Sequence, residues 1–312
     1  MTTVDVVIPT FNRQARLVRT LEALSRQTFK DFGVIVVDDG STPPVRGALQ
    51  GREFPFPLRV IETGAAGGGP ARARNLGVAK SHAELIAFVD DDVDPAPDWL
   101  ERHLAHQAAA TKLIVSFGPL LAPPDWKPTP WNWWEAETLA REYARMTSGL
   151  YQPGWRQVFT GNAMMPRTSI LAAGGFNESF TRAEDIELAL RLEQRGHGFV
   201  FAADAVGWHY SRRSLASWLR IPREYARFDV DLHRMYPGMK WLETIDEERG
   251  RRRRLMRVSR RVSGGLGRPV MRSLGVAAAR ALFVVGRRSA AVRGLSFVYD
   301  LEYGAALGEA RR

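Results

Sequence analysis

Apolar and polar positions fall into short blocks along the first 95 residues. VDVVIP (4–9) and GVIVVD (33–38) are β-branched runs ended by proline or aspartate. Between them, RQARLVRTLEALSRQ sets Leu17, Leu21 and Leu24 at helical spacing. A strand, a helix and a strand in about 35 residues predict a parallel βαβ unit. LRVIET (58–63) predicts a third strand, the glycine-rich GAAGGGP a loop, and residues 71–80 a helix. LIAFVD (85–90) is continuously apolar and predicts a fourth strand buried on both faces. The expected fold class is α/β, an open and mostly parallel sheet with helices on its faces.

The pattern then weakens. Residues 119–166 read as irregular and rich in tryptophan and proline, centred on PPDWKPTPWNWW. AEDIELALRLEQRG restores a strong helix, with Ile186, Leu188, Leu190 and Leu192 and a stop at Gly196. FVFAADAVGWHY (199–210) predicts a strand or a strand pair. Beyond residue 250 an arginine run is followed by the apolar segment LGVAAARALFVVG between further arginines. No internal repeat is present.

Composition adds exclusions. Without cysteine, the chain has neither disulfides nor thiolate–zinc sites. MTTVDVVIPTFNR runs straight into a strand pattern and lacks the regions of a signal peptide, and no apolar run is long enough to span a bilayer; a cytoplasmic location is expected. The net charge is +10, yet residues 249–312 carry 16 arginines against Asp300, Glu302 and Glu309, so residues 1–248 are close to neutral. Two readings of this basic tail stand side by side. Its helix lies on an anionic membrane, peripheral at the inner face, or its apolar part packs on the body and the arginines are solvated.

Polar residues gather where the predicted strands end. PTFNR follows the first strand, DDGS the second, and DDDVD the fourth, all at the carboxyl edge where open α/β sheets bind ligands. Asp90, Asp91 and Asp92 admit three uses. One acid caps a helix around residues 97–106 while the others are solvated, or they hold a hard cation, or they hydrogen-bond a ribose. The strand context favours the last two together, and a cation also offsets the mutual repulsion. Metal and carboxylates at a sheet edge point to a nucleoside diphosphate. No GxxxxGK[ST] loop is present; GAAGGGPARARN offers backbone amides with Arg72 and Arg74 to an anion, or is a surface linker. His103 and His106, three apart on a helix with no convergent carboxylate, read as a solvated face.

VVIPTFNR, VIVVDDGS, GPARARNLG, FVDDDVDP and GGFNESFTRAEDIELALRL, in this order and spacing, resemble the family 2 glycosyltransferases across about residues 3–210. The resemblance implies a GT-A fold with a Rossmann-like, mostly parallel sheet and flanking helices, here with a helical C-terminal extension. It divides the chain into a donor half (1–118), an acceptor and catalytic half of the same domain (119–248) and a basic helical tail (249–312). Pro9, Thr10, Phe11 and Asn12 would line the base and ribose pocket. Asp39 would hydrogen-bond the base beside Asp38, and Arg74, Asn75, Asp90 and Asp91 would also face the nucleotide-sugar. Asp92 would ligate Mn²⁺ or Mg²⁺, with His209 completing the site. The chain has three consecutive acids where the family has D-x-D, so the division of roles among them stays open.

Asp185 matches the family's general base, with Glu184 beside it. One carboxylate base with direct attack implies inversion at the anomeric carbon. Trp126, Trp131, Trp133 and Trp134 read as core, a membrane-interface belt or a sugar-stacking wall; the segment's place between the donor half and the base assigns Trp131, Trp133 and Trp134, with Asn162, to the acceptor side. The implied partners are a UDP-, GDP- or dTDP-sugar and a glycan, lipid-linked or small-molecule acceptor, as in synthesis of a cell-envelope glycan, and no nucleic acid. The processive members' Q-x-x-R-W motif is absent, which favours one transfer per encounter. A sugar-phosphate nucleotidyltransferase is the rival enzyme, but PTFNR is not the basic, glycine-rich loop that class needs. A nucleic-acid-binding protein acting through the tail leaves the acidic edge unexplained.

Overall fold

The computed structural model describes residues 2–64, 67–250 and 267–312; part of the GAAGGGP loop and the arginine run 251–254 lie outside the described residues. The chain divides into two units, residues 1–126 with 140–210, and residues 127–139 with 211–312.

The first unit is built on a seven-stranded sheet. Its strands are β1 (Val4–Thr10), β2 (Phe32–Asp38), β3 (Leu58–Glu62), β4 (Leu85–Val89), β6 (Ile114–Phe117), β8 (Asn162–Pro166) and β9 (Gly198–Phe201), in the order β3-β2-β1-β4-β8-β6-β9. β3, β2, β1 and β4 run parallel, and β8 is antiparallel to β4 and β6. The register sets Thr10 opposite Asp38 and Asn162 opposite Val89. The ends of β1, β2 and β4 therefore line up with the start of β8. A second sheet joins β5 (Val93–Pro95), β10 (Gly207–His209) and β7 (Leu120–Leu121) in the order β5-β10-β7.

Helices cover the large sheet because its apolar strands require it. α1 (Gln14–Leu24) buries Leu17, Leu21 and Leu24, as its spacing predicts. α2 (Val45–Leu49) follows β2, and α3 (Gly69–Lys80) packs so closely that a Cβ on Gly77 would stand 2.5 Å from Val7 Cγ1. α4 (Trp99–Ala109), α6 (Arg167–Ala172) and α7 (Glu184–Gln194) complete this unit, and α7 buries Ile186, Leu188, Leu190 and Leu192.

Two expectations change, and a third, the strand pair, is sharpened. The tryptophan-rich middle contains an 18-residue helix, α5 (Pro130–Thr147). Its proline stands at the first position, where no amide partner is needed, and the rest of the helix contains no proline or glycine. The segment 199–210 forms two strands in different sheets. The acids 90–92 do not cap α4, which begins at Trp99 behind Asp98.

The second unit is helical, comprising the start of α5, α8 (Leu215–Met235), α9 (Trp241–Gly250), α10 (Arg268–Val284) and α11 (Arg288–Ala310). Trp131, Trp218, Val276, Ala279, Leu295 and Val298 form its core. Among the described residues no helix is long and apolar enough to cross a membrane.

Candidate active site

The three polar clusters meet at the carboxyl edge of the large sheet. Thr10, the last residue of β1, donates its hydroxyl to Asp91 Oδ2 at 2.7 Å. Arg13, just before α1, places Nη1 3.1 Å from Asp91 Oδ1 and 2.8 Å from Asp92 Oδ2. His209 arrives from β10, whose antiparallel pairing with β5 sets it opposite Val93, and its Nε2 lies 3.4 Å from Asp92 Oδ1.

The two acids differ electrostatically. Burial pushes Asp91 up to about 6, against the charge of Arg13 and the Thr10 hydroxyl, and the neighbouring acids add to the rise. Burial also pushes Asp92 upward, but His209, Arg13 and Arg16 outweigh it and hold its carboxyl below the usual range. Asp92 is the more acidic of the two.

Asp39 is buried and accepts from Thr63 Oγ1 at 2.9 Å and the Gly69 amide at 2.8 Å. Asn12, at φ 55°, accepts the Thr42 amide on its Oδ1 and donates its own amide to Ser41 Oγ, joining the PTFN and DDGS turns. Phe11 is 45% exposed between them, an unusual setting for a phenyl ring.

Arg74 ties this edge to α7. Its Nη1 donates to Glu184 Oε1 at 2.6 Å and its Nη2 to Asp90 Oδ1 at 2.8 Å, while its Nε is buried without a hydrogen-bond partner. Asp185 follows Glu184 at the start of α7. Its Oδ2 accepts the Thr160 amide at 3.1 Å and its Oδ1 the Ile186 amide at 2.9 Å. Burial first, then the Glu184 charge, push Asp185 up to about 6 against the pull of Arg74. A carboxyl poised there exchanges a proton near neutrality.

The profile of glycosyl transferase family 2 matches residues 5–171. The chain belongs to that family. It is 31% identical over 234 residues to validoxylamine A glucosyltransferase of Streptomyces hygroscopicus subsp. jinggangensis, covering 65% of this chain and 54% of the relative. It is 30% identical over 219 residues to pre-mycofactocin glycosyltransferase of Mycobacterium tuberculosis, covering 69% and 44%. The chain thus spans about half the length of these curated relatives. Among solved structures, the mannosyltransferase PcManGT from Pyrobaculum calidifontis, in complex with GDP-Man and Mn²⁺, superposes with a TM-score of 0.55 at 19% identity over 73% of this chain and 62% of that one. S. aureus TarS 1-349 in complex with UDP gives 0.51 at 16% identity over 100% and 91%. Both share the GT-A fold with this chain.

Several residues read by family resemblance have other work in the structure. Both Asp38 oxygens accept backbone amides, from Ser41 at 2.9 Å and Val45 at 3.0 Å, so this acid shapes the turn. Asn75 grips the GGF loop, donating to the Phe176 carbonyl at 2.9 Å and accepting its amide at 2.7 Å. Gly175, at φ 76°, passes so close that a Cβ would stand 2.6 Å from Asn75 Oδ1. Asn162 is fully buried. Its Oδ1 meets Trp99 Nε1 at 2.7 Å and His103 Nε2 at 2.9 Å, and its Nδ2 donates to the Pro119 and Ala205 carbonyls, which leaves nothing for an acceptor. His103 is completely buried, contrary to the solvated face expected of it, while His106 lies 3.0 Å from Asp204.

The tryptophans belong to the packing of the second unit. Trp131 donates to the Arg213 carbonyl, Trp134 stacks on Tyr299 with centroids 5.0 Å apart, and Trp133 faces Phe283 and Arg288. Arg13 and Thr160 were not legible as site residues. The one available signal for Arg13 was three adjacent acids in need of a counter-charge.

Among the described residues no three His, Asp or Glu groups converge tightly enough to hold a cation unaided. The donor set nevertheless fits one. Asp92 and His209 supply a hard oxygen and an imidazole nitrogen, Asp91 lies beside them, and the Arg13 guanidinium stands where positive charge is wanted. A Mg²⁺ or Mn²⁺ ion takes its remaining ligands from water and phosphate oxygens.

Proposed function

We propose that this chain transfers a sugar from a nucleoside-diphosphate sugar to an acceptor hydroxyl with inversion, using Asp185 as the general base. The observation that carries the proposal is the Arg74 guanidinium, which holds Asp90 with one nitrogen and Glu184 with the other, so that the donor edge and the base helix share one anchor.

Phe11 stands exposed as a face for the nucleobase, and Asp39 presents a carboxylate preset by Thr63 and Gly69. Asp92 and His209, with Asp91, would hold Mn²⁺ or Mg²⁺; bound there, the ion neutralises charge on the departing diphosphate. Asp185 takes the proton of the acceptor hydroxyl as its oxygen bonds to the anomeric carbon, while the bond from that carbon to the diphosphate oxygen breaks on the opposite face. Its amide donors from Thr160 and Ile186 fix the carboxyl, and general-base catalysis of this kind contributes roughly 10²–10⁴ in rate. Solved neighbours hold GDP-Man with Mn²⁺ and UDP, which supports a nucleoside-diphosphate donor of one of these classes. Similarity to a validoxylamine A glucosyltransferase supports a small molecule among the acceptor classes.

Thermal shift with UDP-, GDP- and dTDP-compounds, with and without Mn²⁺, tests the donor site. The expected outcome is a rise in Tm for one nucleotide that is larger with the metal. No metal-dependent shift with any of them would overturn the donor-site assignment.

A further inference from the structure

The second unit leaves one helix half covered. α10 turns Val276 and Ala279 onto its neighbours, and Gly275 lets α11 approach until a Cβ there would stand 2.6 Å from Val298 Cγ2. Its opposite face carries Val270, Leu274, Ala277, Ala281, Val284 and Val285, all exposed. At 100° per residue these six side chains fall within a sector of about 100°, one continuous aliphatic stripe along the helix. Val270, Leu274, Val284 and Val285 are 60%, 66%, 83% and 69% exposed, far more than a packed helix tolerates along one line.

The described part of α10 and the turn after it carry Arg268, Arg272, Arg280, Arg287 and Arg288 and no acid of their own, while Glu309 and Glu302 from α11 pair with Arg268 and Arg272. Between residues 267 and 299 the sequence holds six arginines and no aspartate, glutamate or lysine. Arg268 opens α10 and Arg287 follows its end. An aliphatic stripe edged by arginines suits a surface that is anionic outside and hydrocarbon within. A nucleic acid would answer the arginines but not the stripe. A second copy would cover the stripe but bring two arginine-rich segments together.

We infer that this face of α10 docks on an anionic phospholipid bilayer, the helix lying in the interface with its stripe among the acyl chains and arginines against the phosphates. With no described helix able to span a membrane, the contact is peripheral. The inference is independent of the donor chemistry proposed above and does not depend on its outcome.

Co-sedimentation of the full chain with vesicles tests it. Wild type is expected to pellet with phosphatidylglycerol vesicles and to stay in solution with phosphatidylcholine vesicles. Leu274→Ser/Val284→Ser/Val285→Ser removes apolar surface without altering charge and is expected to weaken the partition at least about tenfold, with Tm unchanged. The proposal is overturned if wild type ignores phosphatidylglycerol vesicles, or if the triple variant, folded with wild-type Tm, partitions as wild type does. It is equally overturned if wild type is a dimer that the triple variant converts to monomer, because a second copy then covers the stripe. Binding to duplex DNA that the triple variant retains, without vesicle binding, assigns the arginines to nucleic acid and also refutes it.

Discussion

Arg13 Nη1 lies 2.8 Å from Asp92 Oδ2, and the same nitrogen reaches Asp91, so one guanidinium bridges the two acids proposed to serve the cation. Removing it leaves a more negative pair. Arg13→Ala should therefore bind Mn²⁺ more tightly in the absence of nucleotide, by about tenfold once the half-exposed position of Arg13 is allowed for. Electron paramagnetic resonance of free Mn²⁺ during titration reads the change directly. Unchanged or weaker binding would show that Arg13 does not compete for these carboxylates.

Asp185 must be ionised to accept a proton, and its carboxyl is raised to about 6. The fraction in the active form is therefore small well below pH 6 and nearly complete above pH 7. For the free enzyme, kcat/KM should climb with pH through a midpoint near 6 and then level off. A profile already flat between pH 5 and 7 would place the base elsewhere.

Asn75 exchanges two hydrogen bonds with Phe176 and makes a third to Glu178 at 2.9 Å. Asn75→Ala should lower stability by about 1–3 kcal/mol, the usual cost of leaving such backbone groups without partners. Nucleotide affinity should stay within about twofold of wild type, as expected of a residue that acts through folding. Denaturant titration and nucleotide binding together separate this from a direct contact, which would lose affinity with little change in stability.

His103 donates or accepts at both ring nitrogens, with Ser116 and Asn162 each at 2.9 Å, and burial lowers it to about 4. The folded protein keeps this imidazole neutral, whereas the unfolded chain takes up a proton near pH 6.5. Its contribution is complete above pH 6.5 and is lost as the pH falls to about 4, by on the order of 3 kcal/mol. Denaturant unfolding at a series of pH values should show this decline, and His103→Asn should flatten it. An equal decline in the variant would assign it to other groups.

The strands and helices of the first 95 residues were legible because their signals are local. β1, β2 and β4 are continuous apolar runs since both faces of the sheet are covered, and their polar endings fall together once the strands are parallel. α7 announced itself through Ile186, Leu188, Leu190 and Leu192. Features that depend on distant partners stayed hidden. Nothing near Arg13 shows that Asp91 will lie beside it, and nothing near Asn75 shows that Phe176 will take both ends of its amide. Asn162 and His103 look available to solvent or substrate until Trp99 and Ser116 are placed against them. The tryptophans of PPDWKPTPWNWW drew attention as rings that could stack on sugar, while the partners that occupy them, Tyr299, Phe283 and Ser296, lie far along the chain.

The central claim is that Asp185 removes the acceptor proton. Release of nucleoside diphosphate by Asp185→Asn, measured beside wild type with the donor found by thermal shift and an acceptor that wild type uses, tests it most directly. The account predicts a fall of roughly 10²–10⁴ in kcat with the nucleotide Kd preserved. Transfer by the variant at near wild-type rate, with donor binding intact, would contradict it.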